Sequence, residues 1–517
     1  MVHWADTVAK AVIQEKGDKK KYVCASGITP SGTVHIGNFR EIITVDLVYR
    51  ALKDLGKKVR FIYSWDDYDV FRKIPENMPN KELLNKYLRK PIVDVPDPFG
   101  TEENYARHHE IEVEKDVAMV GIFPEYLYQA KKYRNLDYVK QIKIALQNTD
   151  KIKSILDKYR KEPLQKDWMP ISGYCPKCNI YDVTFSDYDG DYKLKLHCPE
   201  CNETFDIDIR KSPFIKLPWR IDWPMRWYYE NVDFEPGGKD HSTVGGSFST
   251  AKEIVKIYGW TTPVYHMYNF ISIKGLGGKI SSSKGNVINL RDCLEIYEPK
   301  IIRWLFSGTR PNAEFAISFD LDVIKLYEDF DKCERIYFNK EKVPEKEYEK
   351  QKRIYELSCI DKVPKKMPFQ PSFRHLTNIL LTNSMNIDQV IKYYKLKNKT
   401  DISRLKERAT CAKNWIEKYA PEDFKFTLNE NIPKGLDISQ DMKKAFKELA
   451  KSLLEENLTD KELHNYFYEL IKKNNLDSKE FFKAAYRILI SKEKGPLLAS
   501  FILTIGKKKV ADLFIKL

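Results

Sequence analysis

Residues 22–69 constrain the fold more than any other stretch, because strand, glycine-rich turn, helix and second strand follow one another directly. Tyr22 to Ala25 are β-prone and run into Ser26-Gly27-Ile28-Thr29-Pro30-Ser31-Gly32. Ile36, Phe39, Ile42, Ile43, Leu47, Tyr49 and Leu52 then recur at near-helical spacing as far as Leu55-Gly56. A second strand over 58–65 ends in the acidic Asp66-Asp67-Tyr68-Asp69. Such a βαβ unit belongs to a doubly wound α/β fold with a parallel sheet, whose ligands sit beyond the C-terminal ends of the strands.

The pattern changes along the chain. From residue 91 to about 210 a Pro-containing loop, amphipathic helices such as 137–159 and two close cysteine pairs read as an insertion into the sheet domain. Segments 264–273 and 255–260 then carry strand and helix character around a second glycine-rich loop, 275–279. Beyond about Pro311 the periodicity is helical. Ile402, Leu405, Ala409, Ala412, Trp415, Ile416 and Tyr419 mark one apolar face, and Phe446, Leu449, Leu453 and Leu454 another. Gly495-Pro496 opens a further helix, with proline in the first turn. The expected boundaries are 1–90 and 212–310 for the sheet domain, 91–211 for the insertion and 311–517 for an all-α domain.

A chain of 517 residues, 42% hydrophobic, can bury several cores. The net charge is +14, and residues 321–517 carry 40 basic against 30 acidic side chains, so most of the excess lies in the helical part. Lysines interleaved with aromatics, as in Lys392-Tyr393-Tyr394-Lys395 and Lys425-Phe426, suit RNA phosphates and unpaired bases, or else a solvated lysine-rich surface. No run of about 18 apolar residues occurs. The first 21 residues include acids and lack a hydrophobic signal core, so a cytosolic protein with no membrane partner is expected. Four of the nine cysteines form two close pairs, which predicts a metal site among reduced thiols.

The stretch Thr29-Pro30-Ser31-Gly32-Thr33-Val34-His35-Ile36-Gly37-Asn38 suits ATP. Amides at a helix N-terminus attract phosphate, glycine admits a flat ring close to the backbone, and His35 and Asn38 share a helical face as donors. Taken alone, a histidine in such a turn is more often a structural hydrogen-bonding group. Later comes Lys279-Ile280-Ser281-Ser282-Ser283-Lys284-Gly285-Asn286, a serine loop bracketed by lysines after a glycine hinge.

Together these segments resemble class I aminoacyl-tRNA synthetases. His35-Ile36-Gly37-Asn38 is similar to their HIGH signature and the serine loop to their KMSKS signature. Leu217-Pro218-Trp219-Arg220-Ile221-Asp222-Trp223-Pro224-Met225-Arg226-Trp227, Gly238-Lys239-Asp240-His241 and Lys494-Gly495-Pro496 extend the likeness, over nearly the whole chain, to the class I lysyl-tRNA synthetases. Two departures stand out: Asn38 replaces the second histidine of HIGH, and Ser282 takes the place of the second KMSKS lysine, which makes Lys284 the candidate for the missing charge.

The resemblance implies a Rossmann-like catalytic domain, a zinc-containing insertion and an α-helical anticodon-binding domain. It implies lysine, ATP and lysine tRNA as partners, with a monomer as the working expectation. The lysine carboxylate would attack the α-phosphate in line, giving lysyl-adenylate and pyrophosphate, and a 2′-hydroxyl of the tRNA's terminal adenosine would then attack the adenylate. Catalysis is then positioning plus charge stabilisation, by His35, Asn38, Lys279 and Lys284 with Mg²⁺ on the phosphates. Thr29, Pro30, Ser31, Gly37, Gly238, Asp240, Ser281, Ser282 and Ser283 complete the ATP site, with Asp240 on the ribose.

Two ammonium groups on the substrate call for carboxylates or ring faces. Gly27, Thr29, Asp66, Asp67, Trp219, His241 and Tyr268 are the candidates, although Asp66 and Asp67 also suit capping of the next helix and the aromatics suit a core.

Cys175-Pro176-Lys177-Cys178 and Cys198-Pro199-Glu200-Cys201, 19 residues apart, have the spacing of two knuckles on one structural Zn²⁺. Its removal is expected to harm charging more than adenylate formation. Asp94, Asp97, His108 and His109 are also metal-capable, but neighbouring histidines on a helix point about 100° apart, which favours a solvated face. Rival readings are a class I synthetase for arginine, cysteine or glutamate, and a non-catalytic RNA-binding relative. A glutamate enzyme would need basic groups where this chain offers aspartates and aromatics.

Overall fold

The computed structural model describes residues 3–275 and 287–517. They form two compact units: one comprises residues 3–275, 287–294, 299–317 and 339–363, the other 295–298, 318–338 and 364–517.

The first unit opens with helix α1 (Trp4–Lys16), strand β1 (Tyr22–Ile28), helix α2 (Ile36–Asp54) and strand β2 (Val59–Trp65), as the periodicity predicts. Helix α3 (Tyr105–Met119) leads to β3 (Glu125–Tyr128), and the chain later supplies β4 (Ser172–Gly173), β5 (Thr184–Ser186), β6 (Lys193–Cys198), β7 (Glu203–Asp208) and β8 (Ile215–Lys216). Helix α4 (Trp219–Glu230), β9 (Phe234–Gly238), β10 (Val264–Tyr268), β11 (Ile271–Lys274) and β12 (Phe315–Ser318) follow.

A five-stranded parallel sheet runs in the order β10-β9-β1-β2-β3. In register, Ile28 stands beside Trp65, and Tyr268 beside Gly238. The strand order reverses between β1 and β9, so the crevice of this fold opens there, beyond Ile28 and Gly238. Side chains alternate across the strands. Val23, Ala25, Ile62 and Leu127 meet Trp223 and Trp227 of α4 on one face, in a buried cluster closed by Ala251 and Val255. Gly27 is required where β1 and β2 converge, since a Cβ there would lie 2.5 Å from the Ser64 carbonyl oxygen.

Strand β3 lies inside the segment that reads as an insertion. Four residues are too few to show a period of two, and its partner β2 identifies it. The rest of that segment holds the helices Val139–Gln147 and Thr149–Asp157, the antiparallel β5-β6-β7 sheet and strand β4, which pairs with β8 just beyond the segment. Residues 255–258 form a 3₁₀ turn, in keeping with the helix character of 255–260.

The second unit contains helices throughout its C-terminal part. Lys399–Lys418 buries Leu405, Ala409, Ala412, Trp415 and Ile416, the face its periodicity marks. Arg404 and Arg408 share that face: Arg408 is fully buried and binds Asp331 at 2.8 Å and also Glu298. Helices Gln440–Glu455, Asp460–Lys473, Ser478–Ile490, Leu498–Ile505 and Lys507–Ile515 enclose a core built on Phe446, Phe467, Phe481 and Phe514. Leu454, expected on the buried face, is 51% exposed, because it follows Leu453 by 100° around the helix. The helix after Gly495-Pro496 begins only at Leu498.

Candidate active site

Helix α2 starts a short loop beyond β1 with neither an acidic residue in its first turn nor a side-chain cap, which leaves its positive end facing the site, although the Ile36 N–H donates to the Ile288 carbonyl at 2.8 Å. His35, Gly37 and Asn38 line a cavity of about 530 Å³ together with Gly27, Thr29 and Tyr268. His35 and Asn38 also face a second space of about 480 Å³ beside Ser31, Thr33 and Lys73. Burial pushes the His35 pKa down, so its ring is neutral near pH 7. Gly37 makes room for that ring, since a Cβ there would lie 2.8 Å from Nδ1. Pro30 is buried, and Tyr105 donates to the Ser31 carbonyl at 3.1 Å. Lys73 escaped the sequence reading because it lies on the loop after β2, outside any motif.

One turn beyond Asn38 stands Glu41, also unnoticed in the sequence. The spacing His35, Asn38, Glu41 was the available signal, a polar line along an otherwise apolar helix. Glu41 accepts the Gly27 N–H at 3.1 Å and the Tyr268 hydroxyl at 2.6 Å, which joins two lysine-pocket candidates through one carboxylate. Burial, opposed by these hydrogen bonds, pushes its pKa up to about 8. Trp219 and His241 border the same cavity, and Trp219 stacks on Trp223 with centroids 5.2 Å apart. A smaller adjoining space of about 60 Å³ reaches Glu235, which accepts from the indoles of Trp223 at 3.0 Å and Trp227 at 2.5 Å.

The strand-end aspartates divide. Asp66 reaches the cavity but is bound by Arg226 at 2.6 Å. Asp69 also lines it, held by Lys216 at 2.6 Å and by the Thr29 hydroxyl at 2.9 Å. Asp67 is not among the lining residues: its carboxylate accepts the Ala130 N–H at 2.8 Å, a structural role. Among the described residues Glu41 has no cationic partner, whereas Asp66 and Asp69 do. The site therefore retains an uncompensated acid suited to a cation.

Gly238 ends β9, and Asp240 on the short helix Lys239–Ser242 reaches the large cavity with its side chain 65% exposed, open to a polar ligand. Arg40 of α2, 2% exposed, donates to the carbonyls of Asn269 at 3.0 Å, Phe270 at 3.2 Å, Arg310 at 2.9 Å and Ala313 at 2.6 Å. Lys279, Ser281, Ser282, Ser283 and Lys284 lie outside the described residues.

The four paired cysteines converge as their spacing predicts. Cys175 Sγ lies 3.7 Å from Cys201 Sγ, and Cys178 Sγ 3.6 Å from Cys198 Sγ. Tetrahedral zinc with bonds near 2.3 Å separates its sulfurs by roughly 3.8 Å, so this set fits such an ion. The second cluster holds together in part: Asp94 pairs with Arg134 at 2.7 Å, whereas Asp97, which accepts the backbone N–H groups of Phe99, Thr101 and Glu102, stays 3.4 Å from His108. His109, far from solvated, is buried against Tyr105, and with His108 it approaches Glu112 at 3.6 and 3.7 Å.

The sheet order is that of a doubly wound α/β fold, with the start of α2 at its switch point. The model of class I (K) tRNA synthetases matches residues 2–361, and the chain belongs to that family. It is 52% identical over 506 residues to the lysine--tRNA ligase of Borrelia garinii subsp. bavariensis, covering 98% of this chain and 97% of that one. It is 48% identical to the enzyme of the same name from Treponema pallidum, over 98% and 97% of the two chains. The Thermococcus kodakarensis lysine--tRNA ligase is 45% identical, over 99% and 98%.

Proposed function

We infer that this protein is a lysine--tRNA ligase, which activates lysine with ATP and transfers it to the terminal adenosine of lysine tRNA. The observation that carries the lysine assignment is Glu41, an acid between Gly27 and Tyr268 with no cationic partner among the described residues. A lysine ammonium would supply the missing charge, and a glutamate side chain would be repelled. Trp219 and His241 would pack along the substrate, and Asp69 and Thr29 offer acceptors beside it. The relatives named lysine--tRNA ligase support the same reading over nearly full length.

The proposed first step needs no covalent enzyme intermediate. The lysine carboxylate attacks the α-phosphate, and the work of the chain is to orient the two and stabilise the growing negative charge. The neutral His35 ring and the Asn38 side-chain amide would donate to phosphate oxygens at the positive end of α2, and Ser31 and Thr33 offer hydroxyls toward the departing pyrophosphate. Lys279 and Lys284 would add mobile cations from the serine loop. Mg²⁺ would neutralise phosphate charge when bound. Asp240 would accept from the ribose hydroxyls. Zn²⁺ on Cys175, Cys178, Cys198 and Cys201 would be structural, and a cytosolic setting suits thiolates kept for a metal.

Pyrophosphate exchange into ATP, with each of the 20 amino acids offered separately and with or without total tRNA, tests the reading. Lysine-dependent exchange is expected. Exchange with arginine, cysteine or glutamate would keep the class and overturn the pocket, and none under either condition would leave a non-catalytic RNA-binding protein.

A further inference from the structure

Lys216 is 7% exposed and charged, a costly placement that the proposed reaction does not call on. Its ammonium donates to Asp69 Oδ1 at 2.6 Å and to the Tyr68 carbonyl at 3.0 Å. The other Asp69 oxygen accepts from Thr29 at 2.9 Å, which makes an unbroken chain from Lys216 to the wall of the substrate cavity. Lys216 belongs to β8, paired with β4 through Ser172 opposite Lys216 and Gly173 opposite Ile215. Gly173 permits that pairing, because a Cβ there would lie 2.6 Å from the Phe214 carbonyl oxygen. The ribbon grips the end of β2 at two more points: the Tyr174 hydroxyl donates to the Tyr68 carbonyl at 2.8 Å, and the Tyr68 hydroxyl to the Pro213 carbonyl at 2.9 Å.

We propose that Lys216 is a positioning residue for amino-acid activation: it locks the Asp69 carboxylate against Thr29, so that the β4–β8 ribbon sets the shape of the lysine pocket. The proposal rests on the lysine-activating reading. A buried ion pair is a poor device for stability, since apolar residues in place of both partners often serve as well or better. What the ammonium adds is direction. Without it the Asp69 carboxylate, 39% exposed, turns to solvent and Thr29 loses its fixed acceptor.

Lysine-dependent pyrophosphate exchange and thermal unfolding are measured for the wild type, Lys216→Met, Asp69→Asn and the double variant. Lys216→Met is expected to raise the lysine KM at least tenfold and the ATP KM less than threefold, with a lowered Tm because Asp69 loses its cation, and a Tm closer to wild type in the double variant, which removes both partners. Because Lys216 acts through Asp69, the double variant is expected to match Asp69→Asn within threefold. A lysine KM within threefold of wild type in folded Lys216→Met overturns the proposal, as do effects that multiply in the double variant. If Lys216→Met does not fold, Lys216→Gln takes its place: a tenfold rise in lysine KM supports the chain, and an unchanged KM overturns it. Wild-type protein without lysine-dependent exchange would overturn the functional reading and this proposal together, whereas active wild type with unaltered variants overturns this proposal alone.

Discussion

Replacing Glu41 by glutamine keeps the size of the side chain and removes its charge. Glu41 is held by Gly27 and Tyr268 in the cavity, so its variant leaves a bound lysine ammonium without a counter-charge. Loss of one partner of a desolvated charge pair costs about 3 kcal/mol, or roughly 100-fold in binding. The pH dependence refines the magnitude. With the carboxyl pushed up to about 8, only about a tenth of free enzyme carries the charge at pH 7, about half at pH 8 and about nine tenths at pH 9. The lysine side chain stays cationic throughout, with a pKa near 10.4. Wild-type lysine KM should therefore fall about tenfold from pH 7 to pH 9, with one proton released per lysine bound at pH 7. In Glu41→Gln that slope should vanish, and the KM ratio of variant to wild type should grow from about 10 at pH 7 to about 100 at pH 9, with kcat little changed. Steady-state exchange kinetics across this range, paired with titration calorimetry in buffers of different ionisation heat, measure both. Asp66, Asp69, Asp240 and His241 also border the cavity, and Glu235, pushed up to about 7 by burial, lines the adjoining space, so a slope that survives in Glu41→Gln would assign the titration to one of these and refute the argument. The sign for stability is opposite. A carboxyl raised from about 4.5 to about 8 holds its proton in the fold when the unfolded chain has lost it, so stability falls as pH rises between those values. Glu41→Gln should thus melt no lower than wild type at pH 8, and on the order of 1–3 °C higher.

Gly27→Ala would place a methyl group 2.5 Å from the Ser64 carbonyl oxygen and part β1 from β2. A loss of about 1–3 kcal/mol is expected in urea unfolding, together with weaker lysine binding, and an unchanged midpoint would contradict the packing argument. Chelation of the metal, or Cys198→Ser, should take zinc from one ion per chain to none by atomic absorption. Because Tyr174, next to Cys175, anchors the end of β2, the lysine KM should rise as charging falls, a broader effect than the spacing of the cysteines predicts. Lys279→Ala and Lys284→Ala should each lower the activation rate more than they weaken lysine binding; unchanged turnover would remove that lysine from the mechanism.

The parts of the site that were legible in the sequence are those with local signatures. The β1–α2–β2 unit follows from periodicity and glycine, and the four cysteines from a spacing that only a shared ion explains well. His35 and Asn38 are found because a helix start fixes their direction. Glu41, Lys216 and Arg226 were not legible as a set, since their meaning lies in partners far along the chain. Glu41 looks like any helix acid until Tyr268 is placed upon it, 227 residues later. Asp66, Asp67 and Asp69 look alike in the sequence and take three different partners: Arg226, the Ala130 amide and Lys216. Strand β3 was hidden by its length, and Leu454 by a helical face one residue narrower than its apolar run.

The central place of β1 in the sheet has a consequence for how the chain is made. Its neighbour β2 follows within about 40 residues, but the strand on its other edge, β9, leaves the ribosome about 200 residues later. At 5–20 residues per second that is roughly 10–40 s. Throughout that interval the strand that carries Gly27 and Thr29 presents a row of unpaired backbone groups, a template for any other nascent chain. The segment that becomes the heart of the site is thus the one most in need of shelter during translation. Synthesis slowed between residues 66 and 233 should cost yield of soluble protein more than an equal delay after residue 268.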